Sequence, residues 1–178
     1  MAETPWSRRD EQGQRRATQR WYAAELQRHF DIRLDVCAEP HTAVVPRYYD
    51  IEANGLARSW DTDGGWAYCN PPWLHVEPWL YLAHYWRQRG VSSLLQLKCD
   101  PGARWFRRHK HEAHHIRLIT PRMAYLNADT MKIGKDDRSP SHNSCLWVFD
   151  GTFAYSDNTR GGPLVMRYWH LPRPRGAN

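Results

Sequence analysis

The 178-residue sequence lacks closely spaced cysteines, long apolar runs and a G-x-G loop. Its cysteines are far apart and form no C-x-x-C pair, so neither a zinc site nor a disulfide framework is predicted. We interpret them as reduced, buried side chains of a cytoplasmic protein. They are Cys37, Cys69, Cys99 and Cys145. No run is apolar enough to cross a membrane, and the first residues contain no secretory apolar segment, so no membrane partner is expected.

The charge is biased towards the positive side, with 25 Lys and Arg against 19 Asp and Glu, for a net charge of +6. This balance favours a polyanionic partner, most simply nucleic acid; a basic protein without such a partner is the alternative. Hydrophobic residues make up 41% and aromatic residues 13% of the chain. These fractions predict a globular core and ring surfaces suited to stacking.

Helical and strand patterns alternate along the middle of the chain. They predict a single three-layer α/β domain with a mainly parallel sheet over residues 18–150. Residues 1–17 are expected to form a flexible basic N-terminal arm, and residues 151–178 a loosely ordered C-terminal extension. Helices are predicted for Thr18–Phe30, from Pro78 to Gly90, and from Trp105 onwards. Strands are predicted for Arg33–Ala38, Gly65–Cys69, Ser93–Lys98, Ile116–Ile119 and Ser144–Phe149.

A stiff corner follows the strand Gly65–Cys69, with the sequence Asn70-Pro71-Pro72-Trp73. The two prolines donate no backbone hydrogen bond and restrict φ, so the strand must end there. In open α/β sheets, ligands bind at the carboxyl ends of strands. The corner offers an amide oxygen, a free proline carbonyl and an indole ring, which suit a planar amino group. The alternative is a turn with two prolines and a core tryptophan.

These elements, taken in order, resemble the small phage-type DNA N6-adenine methyltransferases, the Dam-like family. The resemblance runs from about Thr18 to Phe149 and rests on several short segments. The segments are Leu34–Ala38, Gly55-Leu56 with Trp60, the Asn70–Trp73 corner, Trp79, Trp105-Phe106, Ile116–Ile119 leading to Arg122, and Ser144–Phe149. The chain departs from the family in keeping only Thr18 of a Trp-x-Thr-Pro motif, in Trp73, and in lacking a G-x-G loop.

The resemblance implies a Rossmann-like class I methyltransferase fold and S-adenosylmethionine as cofactor. It also implies methylation of the N6 amino group of adenine in DNA, by an enzyme encoded by a phage or prophage. The catalytic residues would be Asn70, Pro71, Pro72 and Trp73. Asn70 Oδ1 and the Pro71 carbonyl would accept the hydrogens of the amine, whose positive charge grows in the transition state. Trp73 would stack on a base that has left the duplex.

Contacts with the methyl donor are predicted before, within and after the first strand, Arg33–Ala38, and at the corner. Asp35 would hold the amino-acid end of the donor beside the small residues Cys37 and Ala38, and Asp50 the ribose hydroxyls. Thr18 and Asn70 complete this set. Alternatively, Asp35 is satisfied by helix N–H groups and Asp50 is a surface turn acid. No metal is expected, because the spacing of His109, His111, His114 and His115 does not gather three ligands; a solvated basic face, or phosphate contact together with Arg107 and Arg108, is expected instead.

Phosphate contacts are predicted for the basic residues that follow the later strands. They are Arg104, Arg107, Arg108, Lys110, Arg122, Lys132, Lys135 and Arg138. Two other functions fit the same residues: a non-catalytic nucleic-acid-binding protein that retains a methyltransferase fold, and an amino-group methyltransferase acting on RNA. The sequence leaves open the recognised DNA sequence, the choice between duplex and single strand, and the oligomeric state.

Overall fold

The computed structural model describes residues 16–133, 143–152 and 165–171. Each helix and strand predicted from the sequence is present in these ranges, with shifted ends. The helices are α1 (Arg20–His29), α2 (Glu77–Arg87) and α3 (Arg104–His109), with a 3-10 turn at Gly55–Ala57. The strands are β1 (Arg16–Ala17), β2 (Ile32–Asp35), β3 (Trp66–Cys69), β4 (Ser92–Lys98), β5 (His115–Thr120), β6 (Leu126–Asn127), β7 (Ser144–Phe149) and β8 (Met166–His170).

The main sheet has six strands in the order β2-β3-β4-β7-β5-β8. β2, β3 and β4 pair in parallel, as do β5 and β8, whereas β7 is antiparallel to both β4 and β5. The expectation of a mainly parallel sheet therefore needs correction, because the sheet is partly antiparallel at β7. The physical reason is that an antiparallel neighbour needs no crossover helix, and none occurs in the described residues between β5 and β7.

Helices cover both faces of this sheet. Side chains alternate along β7, so that Trp147 and Phe149 face one core cluster while Leu146 and Val148 face the other. The first cluster contains Trp79 and Leu80 of α2 and Phe106 of α3. The second contains Tyr22 and Leu26 of α1, which are four residues apart and therefore share a helix face. The domain thus has a helix layer on each side of the sheet.

The ends of α2 follow from its sequence. Pro78 lies in the first turn, where its missing N–H is not needed by the helix. Trp79 and Ala83 are buried on the face that meets the sheet. After the helix, Gly90 adopts φ +84°, which glycine tolerates and other residues rarely do, and it turns the chain into β4.

Two strands lie in segments expected to be loosely ordered. β1 pairs antiparallel with β6, so the last two residues of the predicted N-terminal arm are part of a ribbon. β8 joins the edge of the main sheet beside β5, so part of the predicted C-terminal extension belongs to the sheet. Trp169 of β8 packs against Tyr22 of α1 and against Phe30, which directly follows this helix. A local pattern does not reveal these pairings, because the partners are far away in the chain. No helix in the described residues is long and apolar enough to span a membrane.

Candidate active site

The corner leaves the sheet where β3 ends, between its parallel neighbours β2 and β4. The N–H of His75 donates to the carbonyl of Pro72 at 3.1 Å, which closes a turn directly after the prolines. Pro71 before this turn and Val76 after it are both buried. The corner is therefore anchored on each side and presents its polar groups from a rigid backbone.

Asn70 is oriented by two hydrogen bonds that its amide nitrogen donates. Nδ2 donates to the main-chain carbonyl of Arg16 at 2.9 Å and to Thr18 Oγ1 at 3.4 Å. A carbonyl oxygen can only accept, so the amide must point its nitrogen towards β1. Its Oδ1 is buried and has no hydrogen-bond partner among the residues that the structure describes. Because an unpaired buried acceptor costs about 1–3 kcal/mol, this oxygen is well placed to accept from a ligand donor.

Thr18, predicted as a donor-binding residue, lies behind the corner. Its side chain is buried, and its hydroxyl lies 2.8 Å from the hydroxyl of Tyr68 in β3. It is not among the residues that line the pocket described next. The structure gives Thr18 contacts with Asn70 and Tyr68, and its predicted contact with the donor stays a prediction.

A pocket opens beside Asn70 and contains about 590 Å³ of empty space, counting its open mouth. Among the predicted donor residues, Cys37, Ala38, Asp50 and Asn70 line it. The N–H of Ala38 donates to the carbonyl of Tyr49 at 3.1 Å, and this bond brings the two predicted segments together. Pro72, predicted as part of the catalytic corner, lines the pocket as well. The sequence assigned no role to the other lining residues, which are Arg16, Val36, Glu39, Thr42, Tyr49, Ile51, Asn54, Gly55, Trp79 and Ala128.

The floor of the pocket depends on a close approach at Gly55. A Cβ atom at this position would lie 1.9 Å from the carbonyl oxygen of Val36, so only glycine fits. The carbonyl of Gly55 accepts a hydrogen bond of 2.9 Å from Nε1 of Trp60, which stacks on Trp79. Gly55-Leu56 and Trp60 belong to the segments that carry the family resemblance. The sequence therefore marked these residues, but it did not indicate that they shape the pocket.

Asp50 lines the pocket, as predicted for a donor-binding residue, and one of its carboxylate oxygens accepts a hydrogen bond from the backbone. Its Oδ1 accepts a hydrogen bond of 2.8 Å from the N–H of Ala53, in the turn that leads to Gly55. The side chain is half-buried. Its predicted contact with ribose hydroxyls stays a prediction, compatible with its position on the pocket wall.

Asp35 is not among the residues that line the pocket, and its predicted contact with the donor stays a prediction. Its Oδ1 accepts from the N–H of Cys37 at 3.2 Å, and its Oδ2 accepts from the N–H of Val44 at 3.1 Å. Burial raises the pKa of this carboxyl from its ordinary value of 3.8 to about 7, while the two amide bonds act in the opposite direction. Asp35 ties the segment after β2 to residue 44 and so shapes the pocket wall.

The raised pKa of Asp35 predicts a pH-dependent stability. Between pH 4 and 7 the folded protein binds this proton more tightly than the unfolded chain does, so stability falls as pH rises through that window. The contribution of one such group is at most about 1.4 kcal/mol per pH unit. Urea unfolding of the wild type and of Asp35→Asn should show that the wild type alone carries this loss. Parallel pH curves for the two proteins would refute the assignment.

Trp73 is half-buried and packs edge-to-face on Tyr125, with ring centroids 5.1 Å apart. Tyr125 is itself held by polar contacts, because its hydroxyl donates to Ser144 Oγ at 2.8 Å and accepts from Gln96 Nε2 at 2.7 Å. The ring of Trp73 therefore has a packed edge and a part that remains accessible. The core-packing and the base-stacking interpretations of this residue are compatible with each other.

The basic residues predicted to contact phosphate occupy several places. Arg104, Arg107 and Arg108 are exposed on α3, where Arg108 lies 3.6 Å from Glu77. Lys110 is half-buried at the end of this helix, and Lys132 is exposed. Arg122 follows the carboxyl end of β5 and donates from Nε to Asn143 Oδ1 at 2.8 Å. Lys135 and Arg138 lie outside the described residues.

The histidine cluster is only partly the solvated basic face that the sequence predicts, because His111 is exposed and His114 half-buried, whereas the other two are buried. His109 is fully buried, with Nδ1 2.7 Å from Glu112 Oε2, and its ring packs edge-on against Tyr81. His115 is also buried, and burial lowers its pKa to about 4. The described part of the chain contains no group of three His, Cys, Asp or Glu side chains that could hold a metal ion.

Comparison with known protein families shows what the chain is similar to. The family model described as DNA N-6-adenine-methyltransferase (Dam) matches residues 4–156, which is most of the chain. The match confirms the resemblance inferred from the motifs. No curated protein matches the chain.

Proposed function

The chain belongs to the DNA N-6-adenine-methyltransferase (Dam) family, and from this premise we propose that it transfers a methyl group from S-adenosylmethionine to N6 of adenine in DNA. One observation carries the proposal: the buried Oδ1 of Asn70, which has no hydrogen-bond partner among the described residues and lies beside an open pocket. A Rossmann-like class I fold is part of the proposal. It is supported by helix layers on both faces of the sheet and by the position of the site at the carboxyl end of β3.

The chemistry requires acceptors for the hydrogens of the amine. The N6 amine of adenine is a weak nucleophile, because its lone pair is delocalised into the ring. Asn70 Oδ1 would accept one hydrogen and the Pro71 carbonyl the other, and both bonds strengthen as the nitrogen becomes positive. S-adenosylmethionine, when bound, supplies a methyl group activated by its sulfonium. The corner needs no strong base, since the extra proton can leave to water after methyl transfer.

The pocket beside Asn70 is the proposed donor site. Cys37, Ala38 and Asp50 keep the roles expected from the sequence, with small side chains at the first two positions and an acceptor at the third. Glu39 also lines the pocket and is a second candidate, besides Asp35, for the ammonium group of the donor. Trp79 provides an apolar ring in the wall.

The DNA would meet the protein near the carboxyl ends of β3 and β5. Trp73 would stack on the adenine after it leaves the duplex, a step that costs a few kcal/mol and is offset in part by about 1–3 kcal/mol of stacking. Phosphates would contact Arg122 and the basic residues of α3, together with Lys132, Lys135 and Arg138. The exposed arginines on α3 support this placement.

The proposed phosphate contacts predict how affinity depends on salt. Replacing both Arg104 and Arg107 by Gln should lower the slope of log K against log salt by about 2 for duplex DNA, close to 0.9 per lost contact. Arg28→Gln is the matched control, because Arg28 lies at the end of α1 that leads to the opposite edge of the sheet. Fluorescence anisotropy at several salt concentrations measures the slope. Equal slopes for the wild type and the double variant would place the DNA surface elsewhere.

The proposal is tested by incubating the purified chain with labelled S-adenosylmethionine and DNA, then analysing the nucleosides for N6-methyladenine. The same assay with RNA separates the alternative substrate. Calorimetry with the donor separates the non-catalytic alternative, which should show nucleic-acid binding without transfer. Expression in cells without adenine methylation, followed by mapping of modified adenines, then identifies the recognised sequence. Absence of N6-methyladenine in every condition would refute the proposed function.

A further inference from the structure

We propose that Thr18 is a positioning residue for the catalytic amide, acting through Asn70 and not on the donor. Its hydroxyl, braced by Tyr68, accepts from the Asn70 amide nitrogen and keeps Oδ1 directed at the reacting amine. The inference rests on the proposed function, because it assigns Asn70 Oδ1 the acceptor role there. The proposal is based on two contacts of Thr18, one with Asn70, 52 positions away in the chain, and one with Tyr68, 50 positions away.

The side-chain amide of Asn70 has as many hydrogen-bond acceptors around its nitrogen as that nitrogen has hydrogens. The amide nitrogen of Asn70 has two hydrogens, and the structure provides two acceptors, the carbonyl of Arg16 and the hydroxyl of Thr18. An amide turned by 180° would direct its NH2 group at the substrate amine, so two donors would face each other. The two acceptors favour the productive orientation over this inverted one.

The positions of both acceptors are fixed by other elements. Arg16 lies in β1, whose pairing with β6 places Arg16 opposite Asn127. The Thr18 hydroxyl is 2.8 Å from that of Tyr68, and both residues are buried. A hydroxyl has one hydrogen and two acceptor sites, so Thr18 can serve Asn70 and Tyr68 at once. Buried networks of this kind are rigid when every member is satisfied.

The network should act mainly in the transition state. When Oδ1 accepts from an amine that is becoming positive, the amide polarises and its N–H groups become stronger donors. The bonds to Arg16 and Thr18 then strengthen together with the bond to the substrate. Loss of the Thr18 hydroxyl should therefore lower the rate of methyl transfer while leaving donor affinity unchanged.

Single-turnover methylation and donor calorimetry test the proposal. Thr18→Val removes the hydroxyl at nearly constant volume and should slow transfer about 5- to 10-fold, the worth of one hydrogen bond. Thr18→Ser keeps the hydroxyl and should restore the rate, and Tyr68→Phe should give a smaller loss than Thr18→Val. In the Asn70→Ala background, Thr18→Val should have no further effect, because the group through which it acts is gone.

Two kinetic outcomes would overturn the proposal. A loss of donor affinity with an unchanged transfer rate would make Thr18 a donor ligand, and an equal rate loss with and without Asn70 would show that the two residues act separately. A third measurement needs no activity. The side-chain amide hydrogens of Asn70, followed by ¹⁵N NMR, should exchange with solvent faster in Thr18→Val than in Thr18→Ser. Equal exchange would refute the positioning role even if the chain methylates another substrate.

Discussion

Replacing Asn70 by Ala should slow methyl transfer by roughly 10²–10³, the loss seen when one preorganised polar group is removed. The variant loses the buried oxygen that has no partner in the described structure and is proposed to accept from the amine. This bond is worth most in the transition state, so turnover should fall while the affinity for S-adenosylmethionine changes little. Single-turnover assays and calorimetry on the same preparations separate the two effects.

Asn70→Asp is the matched variant for this experiment. It keeps an acceptor of the same size but cannot donate to the carbonyl of Arg16, which Asn70 contacts at 2.9 Å. We expect it to be slower than the wild type as well, because the fixed orientation is lost. If Asn70→Ala methylates adenine at the normal rate, the catalytic assignment is wrong and the non-catalytic alternative gains support.

Replacing Trp79 by Ala should reduce the free energy of unfolding by about 3–5 kcal/mol. The side chain is buried, stacks on Trp60 with ring centroids 6.2 Å apart, and also lines the proposed donor pocket. The same change should therefore weaken donor binding, unlike replacement of Asn70. Urea unfolding measures the first effect, and calorimetry under conditions where the variant remains folded measures the second.

Tyr85→Ala is the control for Trp79, because it removes an aromatic ring from the same helix at an exposed position. Its ring contacts the guanidinium of Arg89 at 3.5 Å, so its loss should cost below about 1 kcal/mol. Trp79→Phe should recover part of the stability. Equal stability of Trp79→Ala and the wild type would show that the ring is not part of the core that supports the pocket.

Local sequence determined the corner and the elements around it. Pro71 and Pro72 end β3 whatever the rest of the chain does, because proline restricts φ and cannot donate to a neighbouring strand. The spacing of Tyr22 and Leu26 and the glycine at position 90 are equally local signals, and each predicted its helix face or helix end. The positive net charge also follows directly from composition and favours a nucleic-acid partner.

Only the tertiary structure decided which groups these elements meet. The carbonyl that orients Asn70 belongs to Arg16, 54 positions away in the chain. The backbone N–H of Val44, which donates to the carboxylate of Asp35, lies across a loop. Sequence patterns report burial and backbone preference, whereas hydrogen-bond partners depend on how distant segments pack. For this reason the sequence alone predicted an acceptor amide at position 70. The contacts of Thr18 and Asp35 and the antiparallel pairing of β7 could be found only in the folded structure.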